Sequence, residues 1–301
     1  MTDYGRPVRF GVFPTPDAGR AEDVLAIAAA AEDDGLDLIG IQDHPYQRRH
    51  LDAWALLATV LARTERIRVF PDVACLPLRD PAVMAQTAAS LDVLSGARFE
   101  LGLGAGAFWD AIAAMGGPRR SGREAADALI EAIDVLRLMW SGERSVRYDG
   151  AHYQLAGARP GPAPSHDIGI WLGVTGPRLL GVLGRAADGW IPSSSYVPPE
   201  ALADKHARID DAARAAGREP ADIQRVYNVF GAITDSAPTG FLHGPVDQWV
   251  DELTELVLDG GMDTFVFATQ DDDVSQIQRF AREVAPAVRD AVARERNGSA
   301  R

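Results

Sequence analysis

The sequence predicts an α/β chain of the (β/α)₈ TIM-barrel type. Three observations carry that expectation. Short apolar strands alternate with helical stripes eight times, with no long linker and no break in composition, which implies a parallel sheet with right-handed crossovers. The 301 residues are the length eight such units need. The unusual residue clusters fall just after the expected strands, where a barrel of this kind carries its active-site loops. The expected organisation is one domain over 1–301 with an insertion after the fourth strand, about 107–167.

In order, Val8-Arg-Phe-Gly-Val-Phe13 reads as a buried strand. A helical stripe follows at positions 24, 27, 28 and 31 and stops at Gly35. Leu36 to Gln42 is the second strand and Ala53 to Thr64 the second helix. Arg66 to Phe70 is the third strand, and Pro81 opens the third helix at the position proline favours. Phe99 to Leu103 is the fourth strand. Arg123 to Trp140 is a long amphipathic helix, and Ser145 to Leu155 a hairpin turning at Asp149-Gly150. That insertion is expected to form a lid or wall over the mouth. Ile168 to Val174 is the fifth strand, with a helix from Thr175-Gly-Pro-Arg178 to Ala187, and Gly189-Trp-Ile191 the sixth. Glu200 to Ala216 is helix, Val226 to Ile233 strand, Val246 to Leu258 helix, and Thr264 to Ala268 the eighth strand. The last helix runs from Asp273 to about Arg294, with a frayed tail from Glu295.

Composition excludes several classes. A net charge of −13 argues against nucleic acid as a partner. A single cysteine, Cys75, rules out an internal disulfide and a cysteine-based metal site. The first residues lack an apolar leader core, and no run approaches about 18 apolar residues, so the expectation is a cytoplasmic protein without a membrane span. Lys205 is the only lysine and lies in a polar helical stretch, which disfavours a buried Schiff-base lysine. The histidines beyond His44 are scattered, with no metal-ligand spacing, so no metal site is expected.

The most distinctive stretch is Arg98 to Trp109, with Gly102, Gly104 and Gly106 on alternate positions. By letters, Gly102-Leu-Gly-Ala-Gly-Ala107 fits a dinucleotide fingerprint, but the helix after it breaks within about two turns and the required acidic strand end is missing. A glycine-rich loop at a barrel mouth fits better, glycine letting the backbone approach a ligand closely. Asp43-His44 follows the second strand. His44 is a candidate acid/base oriented by the neighbouring carboxylate; the alternative is a strand-end histidine capping a loop. Gly173-Val-Thr-Gly-Pro-Arg178 joins a strand, a turn and a helix start, a natural phosphate site through free N–H groups, the Thr175 hydroxyl and Arg178. The alternative is an ordinary helix cap with an exposed arginine. Asp72, between Pro71 and Val73, either faces the mouth and water or is paired. Phe13, Phe108, Trp109 and Trp190 are candidates to line an apolar slot for a flat ring or substrate, or belong to the core.

Asp43-His44, Leu76-Pro-Leu-Arg-Asp-Pro-Ala-Val83, Leu91 to Gly106, Gly173 to Leu180 and Gly184-Arg-Ala-Ala-Asp-Gly-Trp-Ile191 together resemble the luciferase-like flavin- and deazaflavin-dependent oxidoreductases, over roughly residues 8 to 290. The resemblance implies a (β/α)₈ barrel binding FMN or the deazaflavin coenzyme F-420 at its mouth. It implies a non-prolyl cis peptide near Pro71-Asp72-Val73 backing the ring, although Asp72 is not the small residue the family pattern expects. The Gly104–Gly106 loop and the Val174–Gly176 turn would hold the cofactor tail and phosphate, with His44 as acid/base. Asp43-His44 is similar to the pair in deazaflavin-dependent members, so the expected chemistry is hydride transfer from reduced F-420 to a small organic substrate. The alternatives are an FMN-dependent two-component monooxygenase using O₂ and a separate flavin reductase, or a non-catalytic barrel that only binds. A homodimer is a family-level expectation.

Overall fold

Eight parallel strands follow one another round a barrel: β1 (Arg9–Val12), β2 (Leu38–Ile41), β3 (Arg68–Pro71), β4 (Leu101–Gly104), β5 (Ile170–Leu172), β6 (Gly189–Trp190), β7 (Gln224–Phe230) and β8 (Thr264–Ala268). The spatial order is 3-2-1-8-7-6-5-4, with β1 pairing β8 residue for residue from Arg9 opposite Thr264. β3 is interrupted by a cis peptide between Asp72 and Val73 and resumes as Ala74–Cys75, which pairs with Leu103 and Gly104. A further bridge, Val69 to Phe99, completes the closure. This computed structural model describes residues 3–269 and 272–299.

Side chains from alternate strand positions fill the barrel: Leu38, Phe70, Trp171, Ile191, Val226 and Val266 form the inner cluster, with Phe13 and Val73 packed on it. A larger apolar layer lies between the strands and the helices. Those helices are α1 (Ala21–Asp33), α2 (Ala53–Arg63), α3 (Pro81–Ser95), α4 (Trp109–Ala114), α5 (Gly122–Trp140), α6 (Pro177–Ala186), α7 (Leu202–Ala215), α8 (Val246–Leu258), α9 (Val274–Arg279) and α10 (Ala285–Ser299). Their ends follow local chemistry. The Asp80 carboxylate accepts the N–H groups of Ala82 and Val83 at the start of α3, Pro81 takes the first turn, and Gly96 closes the helix at φ 69°. Ser121 and Glu124 form a reciprocal capping box on α5.

Two expectations change. The tail beyond Glu295 continues α10 to Ser299, joined to α9 through a π-helical turn, Phe280–Val284. The hairpin, Val146–Asp149 against Gln154–Ala158, lies outside the lining of the cleft, while Ala107 and Phe108 at the start of the insertion stand at it. Its turn is tied to the side of α5, where the Glu131 carboxylate accepts the N–H groups of Ala151, His152 and Tyr153 at 2.8–3.0 Å. None of its residues reaches the cleft at the barrel mouth.

Candidate active site

The cleft lies at the C-terminal ends of the strands and holds about 280 Å³. Four chain segments line it: 43–46 after β2, 73–75 after the break in β3, 104–107 after β4, and 173–176 after β5, with Leu179 of α6. These are the segments the sequence singles out, and they come from loops far apart in the chain. The cis peptide sits where the resemblance puts it and turns Val73 into the cleft floor.

The glycines have a more specific reason than access for a ligand. A Cβ on Gly104 would stand 2.7 Å from Val73 Cγ2, and one on Gly173 would stand 3.1 Å from both Val73 methyls. A Cβ on Gly102 would collide with the Pro71 carbonyl oxygen. The bare strand positions therefore seat the Val73 side chain, and the floor takes its shape from that packing. Gly106 has φ +100°, a conformation L side chains rarely adopt, and a Cβ there would meet Pro77 and Trp109 at 2.6 and 2.9 Å.

Asp43 and His44 do not form the expected pair. The Asp43 carboxylate, 2% exposed, accepts from Arg79 Nε and Nη2 at 2.7 Å each and from the Cys75 N–H at 2.9 Å. His44 instead has its Nδ1 2.7 Å from the Tyr46 hydroxyl. The carboxylate turns inward to Arg79 while the imidazole stands at the cleft. Burial, then the charge of His50, holds the His44 imidazole below its ordinary pKa, against a smaller opposing effect of Asp43. Phe108, 52% exposed, sets its ring edge-on to His44 at 5.7 Å and also touches Tyr46 at 5.8 Å. The sequence carries only one signal for Tyr46, an aromatic two residues after the histidine.

Several other expected site residues stand elsewhere. Asp72 is 8% exposed beneath the floor, where its Oδ1 accepts from Asn228 Nδ2 at 3.1 Å and burial pushes its pKa up to about 7. It neither faces water nor lines the cleft. Trp190 is fully buried and donates its indole N–H to the Val174 carbonyl at 2.8 Å, so it braces the 173–176 turn from behind. Trp109 backs Gly106, and Phe13 packs with Val73 on the barrel's inner cluster. Arg178 is ion-paired with Asp127 and lines an adjoining groove together with Arg123. Val73, Gly104, Gly106, Gly173, Val174, Thr175 and Gly176 do line the cleft. Lys205, the one lysine, donates from Nζ to the Thr175 carbonyl at 3.2 Å, a neighbour of the turn that its helical context concealed.

The residues present fit a flat ring with an anionic tail. The wall 104–107 carries only hydrogen or methyl side chains, leaving a narrow slot. Next to it, α6 starts at Pro177 after Gly176, with no side-chain cap. Pro177 has no N–H, so the N–H groups of Arg178 and Leu179, with the Thr175 hydroxyl, are the donors this turn offers to an anion. Among the described residues no group of three ligating side chains is placed to hold a metal ion. No described helix is long and apolar enough to cross a membrane.

Comparison with known proteins agrees with this arrangement. The chain is 28% identical to the F-420-dependent hydroxymycolic acid dehydrogenase of Mycobacterium tuberculosis, over 95% of this chain and 93% of that protein. It is 33% identical to the F-420-dependent glucose-6-phosphate dehydrogenase of Nocardia farcinica, over 69% of this chain and 63% of that one, a span of somewhat less than two thirds of that enzyme. An F-420-dependent secondary alcohol dehydrogenase solved with an F-420–acetone adduct superposes with a TM-score of 0.84 at 20% identity, over 94% of this chain and 99% of that one. The tetrahydromethanopterin reductase of Methanopyrus kandleri superposes at 0.80 and 20% identity, over 93% and 99%. At such identities the structures speak to the barrel alone. The sequence profile of the luciferase-like monooxygenase family matches residues 6–238, and this chain belongs to that family of oxidoreductases.

Proposed function

We propose that the chain is an F-420-dependent oxidoreductase that transfers a hydride between the deazaflavin and a small organic substrate carrying a neutral hydroxyl or carbonyl group. The observation that carries this reading is the cleft itself: an imidazole, His44, opposite a small-residue slot that ends at an uncapped helix start. The end-to-end match to a deazaflavin-dependent dehydrogenase supports the choice of cofactor.

When bound, the deazaflavin supplies or accepts the hydride. The chain's own residues do the rest. Val73 to Cys75 form the floor against which a ring rests. The N–H groups at the start of α6 and the Thr175 hydroxyl hold a phosphate, with Trp190 fixing the turn through Val174. Phe108 covers His44 and keeps water from one side of it. His44 handles the proton that accompanies hydride transfer at the substrate oxygen. The one carboxylate of the lining, Asp43, is neutralised by Arg79, and no lysine or arginine side chain lines the cleft.

The FMN-dependent monooxygenase, with a separate reductase as partner, is the competing reading, supported by the family's name. A side-by-side fluorescence titration of the protein with F-420 and FMN tests the proposal. Tight F-420 binding with weak FMN binding is expected. The reverse order would overturn the proposal in favour of the oxygen-using enzyme, and binding of neither would overturn it in favour of a barrel that does not use these cofactors.

A further inference from the structure

We propose that Tyr46 is a positioning residue that fixes the tautomer of His44, holding the imidazole proton on Nε2 and presenting that N–H to the substrate oxygen. The inference rests on the functional reading above but is argued from the geometry of the chain alone.

The Tyr46 hydroxyl and His44 Nδ1 are 2.7 Å apart, a short hydrogen bond between two neutral groups. A phenol carries one donor and must place it. Among the described contacts His44 Nδ1 is the only acceptor within reach of this hydroxyl. A phenol can donate to Nδ1 or accept from it, and the proposal assigns Tyr46 O–H as the donor. A neutral imidazole accepting at Nδ1 carries its proton on Nε2. His44 lines the cleft, and its Nε2 makes no protein hydrogen bond among the described contacts. That nitrogen is the one left for a ligand.

The surroundings keep both partners neutral. The groups facing His44 are Tyr46 and Asp43 from its own loop, His50 at 6.4 Å between ring centroids, Cys75 from the resumed third strand and Phe108 from the start of α4. Asp43 is occupied by Arg79, and its pull on a proton at the imidazole is smaller than the opposing effects of burial and His50. Burial first, then the charge of His50, lowers the imidazole pKa, while burial raises that of the Tyr46 phenol. Phe108 lies against both rings, at 5.7 and 5.8 Å between centroids, without a polar atom to compete for the hydrogen bond. The sequence suggests a carboxylate–imidazole pair. The structure substitutes a phenol–imidazole pair, which orients the imidazole without adding charge.

The experiment is ¹⁵N NMR of histidine-labelled protein without cofactor, with the His44 resonances assigned by their loss in His44→Gln. In the unsubstituted protein above the His44 pKa, Nε2 is expected to be the protonated nitrogen and Nδ1 the bare one. In Tyr46→Phe, which keeps the ring against Phe108, the two tautomers are expected to mix. Phe108→Leu should leave the tautomer unchanged. A proton on Nδ1 in the unsubstituted protein, an unchanged tautomer in Tyr46→Phe, or a shift of equal size in Phe108→Leu would each overturn the assignment. With reduced F-420 and a ketone substrate, Tyr46→Phe should lower kcat about tenfold with KM little changed, the loss of one hydrogen bond that acts through orientation. The NMR readout needs no cofactor. A failure of the protein to bind F-420 would sink the functional proposal and leave the tautomer result standing, and the two failures are distinguishable.

Discussion

Removing the Arg79 guanidinium should cost more stability than any other single change at the rim of the cleft. The Asp43 side chain is 1% exposed, and of its three donors two belong to Arg79. Arg79→Met removes the guanidinium, which also stands over the Trp54 ring at 5.5 Å, and leaves the carboxylate with the Cys75 N–H alone. Breaking a buried ion pair from one side costs about 3–5 kcal/mol because the remaining charge stays desolvated. The Arg79 side chain is 21% exposed, so water softens the loss, and about 3 kcal/mol is expected. Asp43→Asn is the control. It keeps an acceptor for Cys75, and Arg79 retains its 2.7 Å bond to the half-exposed Asp52, so about 1 kcal/mol is expected. Urea unfolding measures both, provided the slope m is unchanged and only the midpoint moves. Against a typical total of about 5–15 kcal/mol, the two values are well resolved. If Arg79→Met cost less than Asp43→Asn, the buried carboxylate would not depend on this arginine, and the account of why Asp43 turns away from His44 would be wrong.

Other consequences can be checked independently. Gly104→Ala should destabilise by about 1–3 kcal/mol through overpacking against Val73, and adding Val73→Ala should recover most of it in a double-mutant cycle; additive losses would refute the seat. Trp190→Phe removes the bond to the Val174 carbonyl and leaves that oxygen unpartnered. It should cost about 1–3 kcal/mol and weaken binding of a phosphate-bearing ligand, read by calorimetry; unchanged affinity would remove Trp190 from the bracing of the turn. His166, beside Glu100 and 2.8 Å from Asp92, has its pKa raised, first by the hydrogen bond to Glu100. A folded pKa above the unfolded value near 6.5 means the stabilisation is complete below that value and is lost as pH rises through the folded pKa. His166→Gln should flatten that part of a stability profile, and an unaltered slope would contradict the assignment. Asp72 works in the same direction from the opposite chemistry. Its pKa of about 7 exceeds that of an unfolded carboxyl, so ionisation between about pH 4 and 7 weakens the fold, and Asp72→Asn should lessen the fall.

The barrel was legible because its signals are local. A strand of four or five apolar residues followed by a helical stripe with its caps can be read without knowing any partner, and β8, Thr264–Ala268, falls where the apolar run alone places it. Asp80-Pro81 and Gly96 mark α3 as clearly in sequence as in structure. The cleft was legible at the level of segments for a related reason: a barrel brings every strand's C-terminal loop to one mouth, so position in the rhythm is enough. Within a segment, what matters is which way each side chain points and what stands opposite. The pairing of Asp43 with Arg79, 36 residues apart, is fixed by how α3 starts against the end of β2. No spacing rule in a single sequence carries that information.

The glycines show how far the same letters can mislead about cause. Gly102, Gly104 and Gly173 invite a reading in which bare backbone approaches a ligand, and the segments do border the cleft. Yet the atoms that a Cβ would strike are those of Pro71 and Val73, which belong to the protein. The absence of side chains on β4 and after β5 therefore acts one layer below the ligand. It lets the chain after the break in β3 press a branched side chain inward, and that side chain is the floor on which a ring would lie. The shape of the ligand is thus written into the packing of one valine. A larger residue at any of the three glycines should change ring binding by lifting that floor, while the wall 104–107 and the anion turn stay in place. Loss of affinity for the ring portion of the cofactor, with affinity for its phosphate end retained, separates this from a direct clash with the tail.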